Sequence, residues 1–406
     1  MQNNSSITYD VIIAGGGMVG MTLAVALAAE GFSVCVIEKT AMPAQLEVDF
    51  DGRVSAIALG SRNILQNIGA WEHMEPYAQP IYDIRVSDGN MPFFLHYHYE
   101  EVGASPFGYI LENRHIRHGL QQVSAHLLNL TIRDKNTIGH VKQYGSHVSV
   151  EVGGEHITAR LLVAADGKNS YVRNQLGIKS VDWAYQQTAI VCTIAHSLSH
   201  DGLAQERFLP AGPFAVLPMT GNHSSLVWVE PKDRVEAYLT LSDEEFAQEI
   251  TERVGDYLGA ITPISKRFSY PLSVMHAHSY ISERVALIGD AAHAIHPIAG
   301  QGVNLGFRDV AVIAELLADA KNAGQDIGDA AVLKHYQQWR RFDNMTMLAV
   351  TDVLTRLFSN NYLATTLARG IGLWAVGKLP SLKRFFMRHA MGLEGDTPKL
   401  AQFIKK

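Results

Sequence analysis

The sequence predicts a mixed α/β protein. We expect a Rossmann-like dinucleotide-binding domain interleaved with an antiparallel β-sheet domain, followed by a helical C-terminal region. Three observations predict this fold. A strand, a glycine-rich turn, a helix and a second strand follow one another near the N-terminus, and short β-rich runs of another pattern occupy 81–99 and 189–229. From Arg340 onward the sequence is predominantly helical.

The two sheet patterns alternate along the chain, so we expect discontinuous domains. The predicted dinucleotide-binding domain comprises 8–80, 105–180 and 268–340. The predicted substrate-binding sheet domain comprises 81–104 and 181–267, and the C-terminal helical region comprises 341–406. An antiparallel sheet commonly packs one face on a core and leaves the other available, so one face is expected to line a pocket.

Composition excludes several classes of protein. The 406 residues include 47% hydrophobic and 18% charged residues, as in ordinary globular proteins, and the net charge of −6 offers no broad attraction to nucleic acid. The two cysteines, Cys35 and Cys192, lie in apolar strand-like runs, which favours a reducing compartment without disulfides. The sequence begins without a signal-peptide pattern and contains no uninterrupted apolar membrane span. We therefore expect a cytoplasmic protein.

The first βαβ unit carries a dinucleotide fingerprint. Gly15, Gly17 and Gly20 form G-x-G-x-x-G directly after the first strand, and Glu38 ends the second strand. In this motif the first glycine permits the tight turn, the second lets a pyrophosphate approach the backbone, and the third lets helix and strand pack closely. A carboxylate at the position of Glu38 can accept hydrogen bonds from an adenosine ribose, which favours FAD or NAD.

Two later acids indicate which dinucleotide binds. Asp166, with Gly167 behind it, ends one apolar strand, and Asp290 ends another. An acid at the carboxyl end of a strand can bind the hydroxyl groups of a ribityl chain. A helix that begins near Gly302 would direct its positive end at a flavin pyrimidine, where reduction places negative charge. The pattern therefore favours FAD.

Two histidines near the second acid suggest a competing interpretation. His293 and His296 are three residues apart and could be zinc ligands. They supply only two donors, however, and no Cys/His cluster stands elsewhere in the sequence. The same stretch serves better as a wall beside a flavin ring, and we expect no metal.

Three segments carry a resemblance to a known family. "FDGRVSAIALG", "GDAAHAIHPIAGQGVNLGFRD" and "LKRFFMRHAMGL" resemble the ubiquinone-biosynthesis hydroxylases, the UbiH-like branch of the single-component flavin aromatic hydroxylases. The resemblance extends over nearly the whole chain. It implies an aromatic-hydroxylase-type fold with FAD as cofactor, NAD(P)H as electron donor and molecular oxygen. It also implies a polyprenylated phenol as substrate, hydroxylated on its ring through a flavin hydroperoxide.

The resemblance also assigns roles to individual residues. The surroundings of the flavin ring, where no side-chain nucleophile is expected, would be formed by Pro297, Gly300 and Gln301. The other implied cofactor contacts are Gly15, Gly17, Gly20, Glu38, Arg53, Arg117, Asp166, Gly167, Asp290, Gly302 and Asn304. The sequence identifies no group that assists deprotonation of the phenol.

Several alternatives remain open at this level. The same cofactor could serve an epoxidase or reductase acting on an isoprenoid lipid, and a non-catalytic escort protein could share the architecture. Aromatic residues of the β-rich runs could line a pocket or form sheet core: Phe93, Phe94, Tyr97, Tyr99, Phe214 and Trp228. The basic segment 367–393 could be a helical lid. It could also be an amphipathic surface that meets the inner membrane or a membrane-bound partner complex.

Overall fold

The structure, a computed structural model, describes residues 8–42, 52–89, 94–295, 301–358 and 379–403, without the side chains of 301, 348–358 and 382. Strands and helices are numbered separately in chain order. Two large sheets and one small sheet account for the strands of this described part.

The first large sheet is mostly parallel and contains the N-terminal strand at its centre. Its strands are β1 (Tyr9–Ala14), β2 (Val34–Ile37), β8 (Leu130–Arg133), β9 (Ile138–Gln143), β10 (Val148–Val152), β11 (Glu155–Ala164), β18 (Ile281–Ser282) and β19 (Val285–Leu287). β1 runs parallel to β2 on one side and to β11 on the other, and β19 runs parallel to β11. The carboxyl ends of β1, β11 and β19 therefore meet at one edge.

The second large sheet is antiparallel except for one pair. Its strands are β5 (Asp83–Asp88), β6 (Phe94–His98), β12 (Ser180–His196), β13 (Leu203–Leu209), β14 (Gly212–Met219), β15 (His223–Pro231), β16 (Ile261–Pro263), β17 (Phe268–Ala277) and β20 (His293–Ala294). The order is β20-β17-β12-β15-β14-β13-β5-β6, with β16 beside β12. Only β5 and β13 pair in parallel among these described strands. The small sheet has the order β3 (Val54–Ala58), β7 (Gly108–Glu112) and β4 (Gln79–Ile81).

The helices cover the sheets. They are α1 (Met18–Ala29), α2 (Leu59–Asn67), α3 (Asn113–Ser124), α4 (Tyr171–Gln175), α5 (Val235–Leu239), α6 (Asp243–Val254), α7 (Gln301–Asn322), α8 (Ala330–Phe358) and α9 (Pro380–Ala390). α1 is apolar on nearly every side because it packs against β2, α3 and α7. α6 instead has one buried stripe and begins with a capping box, in which Ser242 and Glu245 satisfy each other's backbone N–H groups.

The sheets alternate along the chain as expected, but the domain limits remain a prediction of the sequence. The limit at 268 coincides with the first residue of β17, which pairs with β12 in the antiparallel sheet. The limit at 341 falls within α8. Both cysteines are buried, free thiols in strands, as the sequence indicated.

Candidate functional site

The glycine-rich turn after β1 leaves space for a ligand. Gly15 has φ of +101°, and a Cβ atom there would lie 2.5 Å from the carbonyl oxygen of Ala165. A Cβ atom on Gly20 would lie 2.0 Å from the carbonyl oxygen of Gly15, so α1 can pack on the turn only without a side chain. A Cβ atom on Gly17 would meet no atom within 4 Å, and no side chain caps α1. The free N–H groups at this helix end suit a pyrophosphate.

Glu38 is held against the same turn. One carboxylate oxygen accepts a hydrogen bond from the Gly16 N–H at 2.7 Å, and the other accepts one from the Thr40 N–H at 2.8 Å. Each oxygen keeps a second lone pair for a ribose hydroxyl. A small cleft at the N-terminus of α1 is lined by Gly16, Gly17 and, from α3, Arg117. The fold therefore brings Arg117 to the glycine turn, although the two lie far apart in sequence.

The different surroundings of two glycines make a matched test. Gly17→Ala is expected to fold normally, because its φ of −69° suits alanine and its Cβ meets no atom. It should bind FAD about tenfold more weakly, because the methyl group occupies space needed by the pyrophosphate. Gly20→Ala should instead lower the free energy of unfolding by about 1–3 kcal/mol, since its Cβ collides with backbone. Thermal unfolding and FAD titration of both variants check this, and wild-type FAD affinity in Gly17→Ala would contradict it.

The loop after β11 contains an acid with an unused oxygen. Asp166 Oδ2 accepts a hydrogen bond from the Val172 N–H at 3.2 Å, which fixes the carboxylate at the start of α4. Its Oδ1 is buried and has no hydrogen-bond partner within the described part of the chain. A buried acceptor without a donor costs free energy, so this atom fits a donor on a bound group. Gly167 follows with φ of +82°, which turns the chain away from the strand.

Arg173 joins this loop to the loop after β19. Its guanidinium donates to the carbonyl oxygen of Ala291 at 2.9 Å and to that of Lys168 at 2.8 Å, and the residue is 4% exposed. The amine of Lys168 donates to the hydroxyl of Ser273 on β17. The sequence pattern assigns no role to Arg173, whereas the structure shows that it holds the two acid-bearing loops together.

Asp290 follows β19 at this junction. It is exposed, yet burial raises the pKa of its carboxyl group, while His293 and Lys168 act in the opposite direction. The structure places Asp290 directly after the strand end, and its contact with a ribityl chain stays a prediction.

A buried acid to which the sequence assigns no role positions this loop. Asp309 on α7 is 0% exposed and accepts hydrogen bonds from the Gly289 N–H at 2.8 Å and from His293 Nε2 at 2.6 Å. Its other oxygen accepts from Arg340 Nε on α8 at 2.7 Å. Burial alone would raise the pKa of Asp309, but His293 and Arg340 outweigh burial and hold that pKa below its usual range. Asp309 therefore anchors the loop that presents Asp290.

This contact also gives His293 a structural role. Its Nε2 is hydrogen-bonded to Asp309. The described residues contain no group of three side chains suited to bind a metal ion. His296 lies outside the described residues.

The start of α7 is fixed to the small sheet. Asn304 Oδ1 accepts a hydrogen bond from the Ala58 N–H at 2.9 Å, and its Nδ2 donates to the Ala56 carbonyl oxygen at 2.8 Å. These contacts make Asn304 a positioning residue, and its predicted cofactor contact remains a prediction. A Cβ atom on Gly302 in the first turn would meet no atom of the described residues within 4 Å. Pro297 and Gly300 lie outside the described residues, as does the side chain of Gln301.

Arg53 lies between the small sheet and the antiparallel sheet. Its guanidinium carbon is 5.8 Å from the centre of the Tyr270 ring on β17, and the residue is exposed. Neighbouring Gly52 contacts the ring of Phe268, because a Cβ atom there would lie 2.3 Å from it. The loop before β3 thus packs on the sheet face that carries Phe268 and Tyr270.

The aromatic residues for which pocket and sheet core were both open divide between different surroundings. Phe214 and Trp228 pack in the core under α6, whereas Tyr97 and Tyr99 pack in a cluster that includes Met387 of α9. Phe94 is exposed, and Phe93 lies outside the described residues.

Comparisons with known proteins agree with this geometry. A family model described as FAD binding domain matches residues 8–349. Ubiquinone hydroxylase UbiL of Rhodospirillum rubrum is 48% identical over 97% of this chain and 93% of its own length. The 3-demethoxyubiquinol 3-hydroxylase of Escherichia coli is 34% identical over 95% of this chain and 98% of its own.

A solved structure supports the fold itself. The crystal structure of p-nitrophenol 4-monooxygenase PnpA from Pseudomonas putida superposes with a TM-score of 0.79 at 21% identity, covering 95% of this chain and 98% of that one. At this identity the likeness concerns the fold alone, and it confirms the predicted fold class.

Proposed function

Because the chain belongs to the FAD binding domain family and, within it, to the ubiquinone hydroxylases, we propose that it hydroxylates the aromatic ring of a polyprenylated phenol in ubiquinone biosynthesis. FAD is the cofactor, NAD(P)H supplies electrons, and molecular oxygen supplies the new hydroxyl oxygen. The observation that carries this proposal is the convergence of three loops at the carboxyl ends of β1, β11 and β19. These loops present the glycine turn, Asp166 and Asp290.

The donor and acceptor groups in these loops suit the separate parts of FAD. The open N-terminus of α1 suits the pyrophosphate, and Glu38 suits the adenosine ribose. Asp166 offers an unused buried oxygen, and Asp290 offers a desolvated carboxylate. When bound, FAD supplies hydride acceptance and oxygen activation, so the protein needs to orient the ring and exclude water and requires no nucleophile.

Product mass tests this function. Purified enzyme with FAD, NAD(P)H and a short-prenyl phenol should oxidise NAD(P)H faster than without the phenol and yield a product heavier by one oxygen atom. Loss of a double bond without oxygen gain would assign a reductase, and oxygen on the prenyl chain would assign an epoxidase. A protein that takes up no FAD and is colourless would support an escort role.

We also propose that α9 forms part of a surface that contacts anionic lipid. Phe385 and Phe386 are 50% and 41% exposed, and Arg384 beside them is exposed. Lys383 and Arg388 form ion pairs with Glu101 and Glu394, so their charges are partly offset. No helix within the described ranges has the length and apolar character needed to cross a bilayer. A peripheral contact would give access to a substrate whose prenyl tail stays in the membrane.

Replacing Phe385 and Phe386 with serine is expected to weaken co-sedimentation with anionic phospholipid vesicles about tenfold or more, because apolar surface no longer enters the interface. Arg384→Ala should add a smaller loss of about 1 kcal/mol that disappears at high salt. Flavin content and activity on a short-prenyl phenol should not change. Phe342→Ser, which alters a 79% exposed phenylalanine on α8, is the matched control. Equal vesicle binding by all variants would favour the alternative in which this segment is a helical lid. If the variants bound vesicles normally but no longer bound a membrane protein complex, contact with a membrane-bound partner complex would be favoured.

A further inference from the structure

A row of apolar side chains across the antiparallel sheet contains one carboxylate. Residues paired directly across neighbouring strands lie on the same face of a sheet. Following these pairs from β17 to β6 gives Phe268, Val191, Val227, Ala215, Glu206, Val86 and Leu95. Glu206 on β13 is the only ionisable residue of this row.

The row lies on the face that meets the FAD-binding part of the chain. At one end, Phe268 contacts Gly52 in the loop before β3, and Arg53 lies near Tyr270, two residues along the same strand. The opposite face carries Phe214 and Trp228, which α6 covers. Arg207, the neighbour of Glu206, belongs to that opposite face and donates to the carbonyl oxygen of Arg253 on α6. It is therefore directed away from Glu206.

Glu206 is partly open in an otherwise apolar row on this face of the sheet. The residue is partly accessible, as are Val86 and Val227 in the same row. Its carboxylate makes no hydrogen bond or ion pair with any described residue. Burial alone raises the pKa of Glu206 to about 7. A partly accessible carboxylate that has no described partner and lies in an apolar row, on the face that meets the FAD-binding part, is placed to contact a ligand there.

The other ionisable groups near this face are occupied or lie in other rows. Asp88 on β5 pairs in register with Phe208, and Tyr97 on β6 pairs with Ile84. On the covering α9, Lys383 forms an ion pair with Glu101. On β17, Tyr270 lies under Arg53, and on β7, Glu112 forms an ion pair with Arg114.

We propose that Glu206 lies in the substrate cavity, where it accepts a hydrogen bond from the ring hydroxyl of the phenol and takes its proton during hydroxylation. The inference rests on the proposed function. The step moves one proton and no electrons: the phenol O–H bond breaks, a carboxyl O–H bond forms, and the negative charge passes to the phenolate oxygen. The more electron-rich ring is then a better nucleophile toward oxygen. The ring proton on the hydroxylated carbon leaves to the oxygen atom that becomes water, and the proton held by Glu206 then returns to the phenolate oxygen.

The apolar row around Glu206 explains how one carboxylate can orient the substrate. A flat, apolar ring can be buried against Val86, Ala215 and Val227 in several orientations. It forms a hydrogen bond only when its hydroxyl group faces Glu206. The carboxylate therefore discriminates between orientations of the ring as well as accepting its proton.

Glu206→Gln keeps the size of the side chain but removes the proton acceptor. We expect kcat for hydroxylation to fall on the order of 100-fold, while FAD content and NAD(P)H binding remain unchanged. In wild type, kcat should rise with pH through about 7, because the ionised carboxylate is the active form. That rise should persist in Glu206→Asp and disappear in Glu206→Gln. Glu236→Gln on α5, an exposed position beyond the opposite face of the sheet, is the matched control.

The acidity of the substrate separates proton transfer from a structural role. Fluorinated short-prenyl phenols lose their proton more easily. With these substrates, kcat of Glu206→Gln should therefore lie closer to kcat of wild type. If kcat of Glu206→Gln fell by the same factor for all phenols, the proposal would be overturned. A wild-type kcat in Glu206→Gln would also overturn it. If that variant lost its FAD, the wild-type enzyme would still decide, because a pH-independent kcat across neutral pH contradicts the proposal.

A stability measurement checks the burial of Glu206 independently of activity. A carboxyl group with a raised pKa stabilises the fold while protonated, and that contribution is lost as pH rises through about 7. At pH near 8, Glu206→Gln should therefore unfold at a higher temperature than wild type; an unchanged or lower midpoint would contradict a desolvated carboxylate. If wild-type enzyme forms no oxygenated product, the proposed function fails. If it does, and Glu206→Gln behaves alike, only this inference fails.

Discussion

Asp309→Asn is expected to lower the free energy of unfolding by about 3 kcal/mol, the lower end of the usual cost of breaking a buried ion pair, because Asp343 still pairs with Arg340. Arg340 is 1% exposed and depends on Asp309 for a charged partner at Nε, while its NH1 contacts Asp343. An asparagine also competes poorly as an acceptor for both Gly289 N–H and His293. Urea unfolding of the FAD-bound protein measures the change. Asp319→Asn is the matched control, because its ion pair with Lys399 is exposed and contributes about 0–1 kcal/mol.

The same residue sets a pH dependence. The lowered pKa of Asp309 means that its contribution to stability is present above the ordinary carboxyl range and is lost as pH falls through the lowered value. Wild type should therefore lose this stability only in strong acid, and Asp309→Asn should show a flatter acid limb. If the variant unfolded at the wild-type urea concentration, the buried pair would contribute nothing and this account of the loop anchor would be wrong.

Asp290→Ala is expected to purify folded but largely without FAD. Losing a hydrogen bond to a charged group costs about 1.5–3 kcal/mol, which corresponds to roughly ten- to a hundredfold in affinity. The fold should tolerate the change, because burial already disfavours the charged form of Asp290 and its removal leaves no partner among the described residues buried and unpaired. Flavin absorbance per protein, and FAD titration of the apoprotein, measure the effect.

Asp233→Ala, at an exposed position in the turn before α5, provides the control for Asp290. It should retain wild-type flavin content. Full FAD occupancy and normal turnover in Asp290→Ala would show that the cofactor does not depend on this carboxylate.

Local patterns are sufficient to predict much of the fold and the cofactor loops. The first βαβ unit combines a strand, a G-x-G-x-x-G turn and an acid at fixed spacing. The role of Gly15 in the tight turn and that of Gly20 in helix packing therefore follow from the sequence alone. The resemblance to flavin hydroxylases is likewise confirmed by the family match and the relatives. These features depend on residues that are close in sequence or on motifs of high specificity.

Other features depend on register between distant strands. Glu206 stands in "AQERFL", where alternation shows only that it shares a face with Phe208. Its isolation among apolar residues follows from pairings with β5 and β14 that no local signal specifies. Asp309 ends a recognised segment, but its partner Arg340 comes from the next helix. Asn304 matches a cofactor position by sequence, whereas its amide is bonded to the backbone of β3.

The central position of β1 has a consequence for how the chain folds during synthesis. β1 and β2 can pair early, but the other edge of β1 waits for β11, which ends at Ala164, and β11 in turn waits for β19, which ends at Leu287. Pairings between such distant segments are slow to form because the loop-closure entropy is lost before the contacts reward it. Until β11 pairs, the edge of "VIIA" in β1 is open to strands of other chains, and until β19 pairs, the edge of β11 is open in the same way. Nascent chains are therefore most exposed to aggregation, and most dependent on chaperones, between synthesis of the first glycine turn and completion of β19.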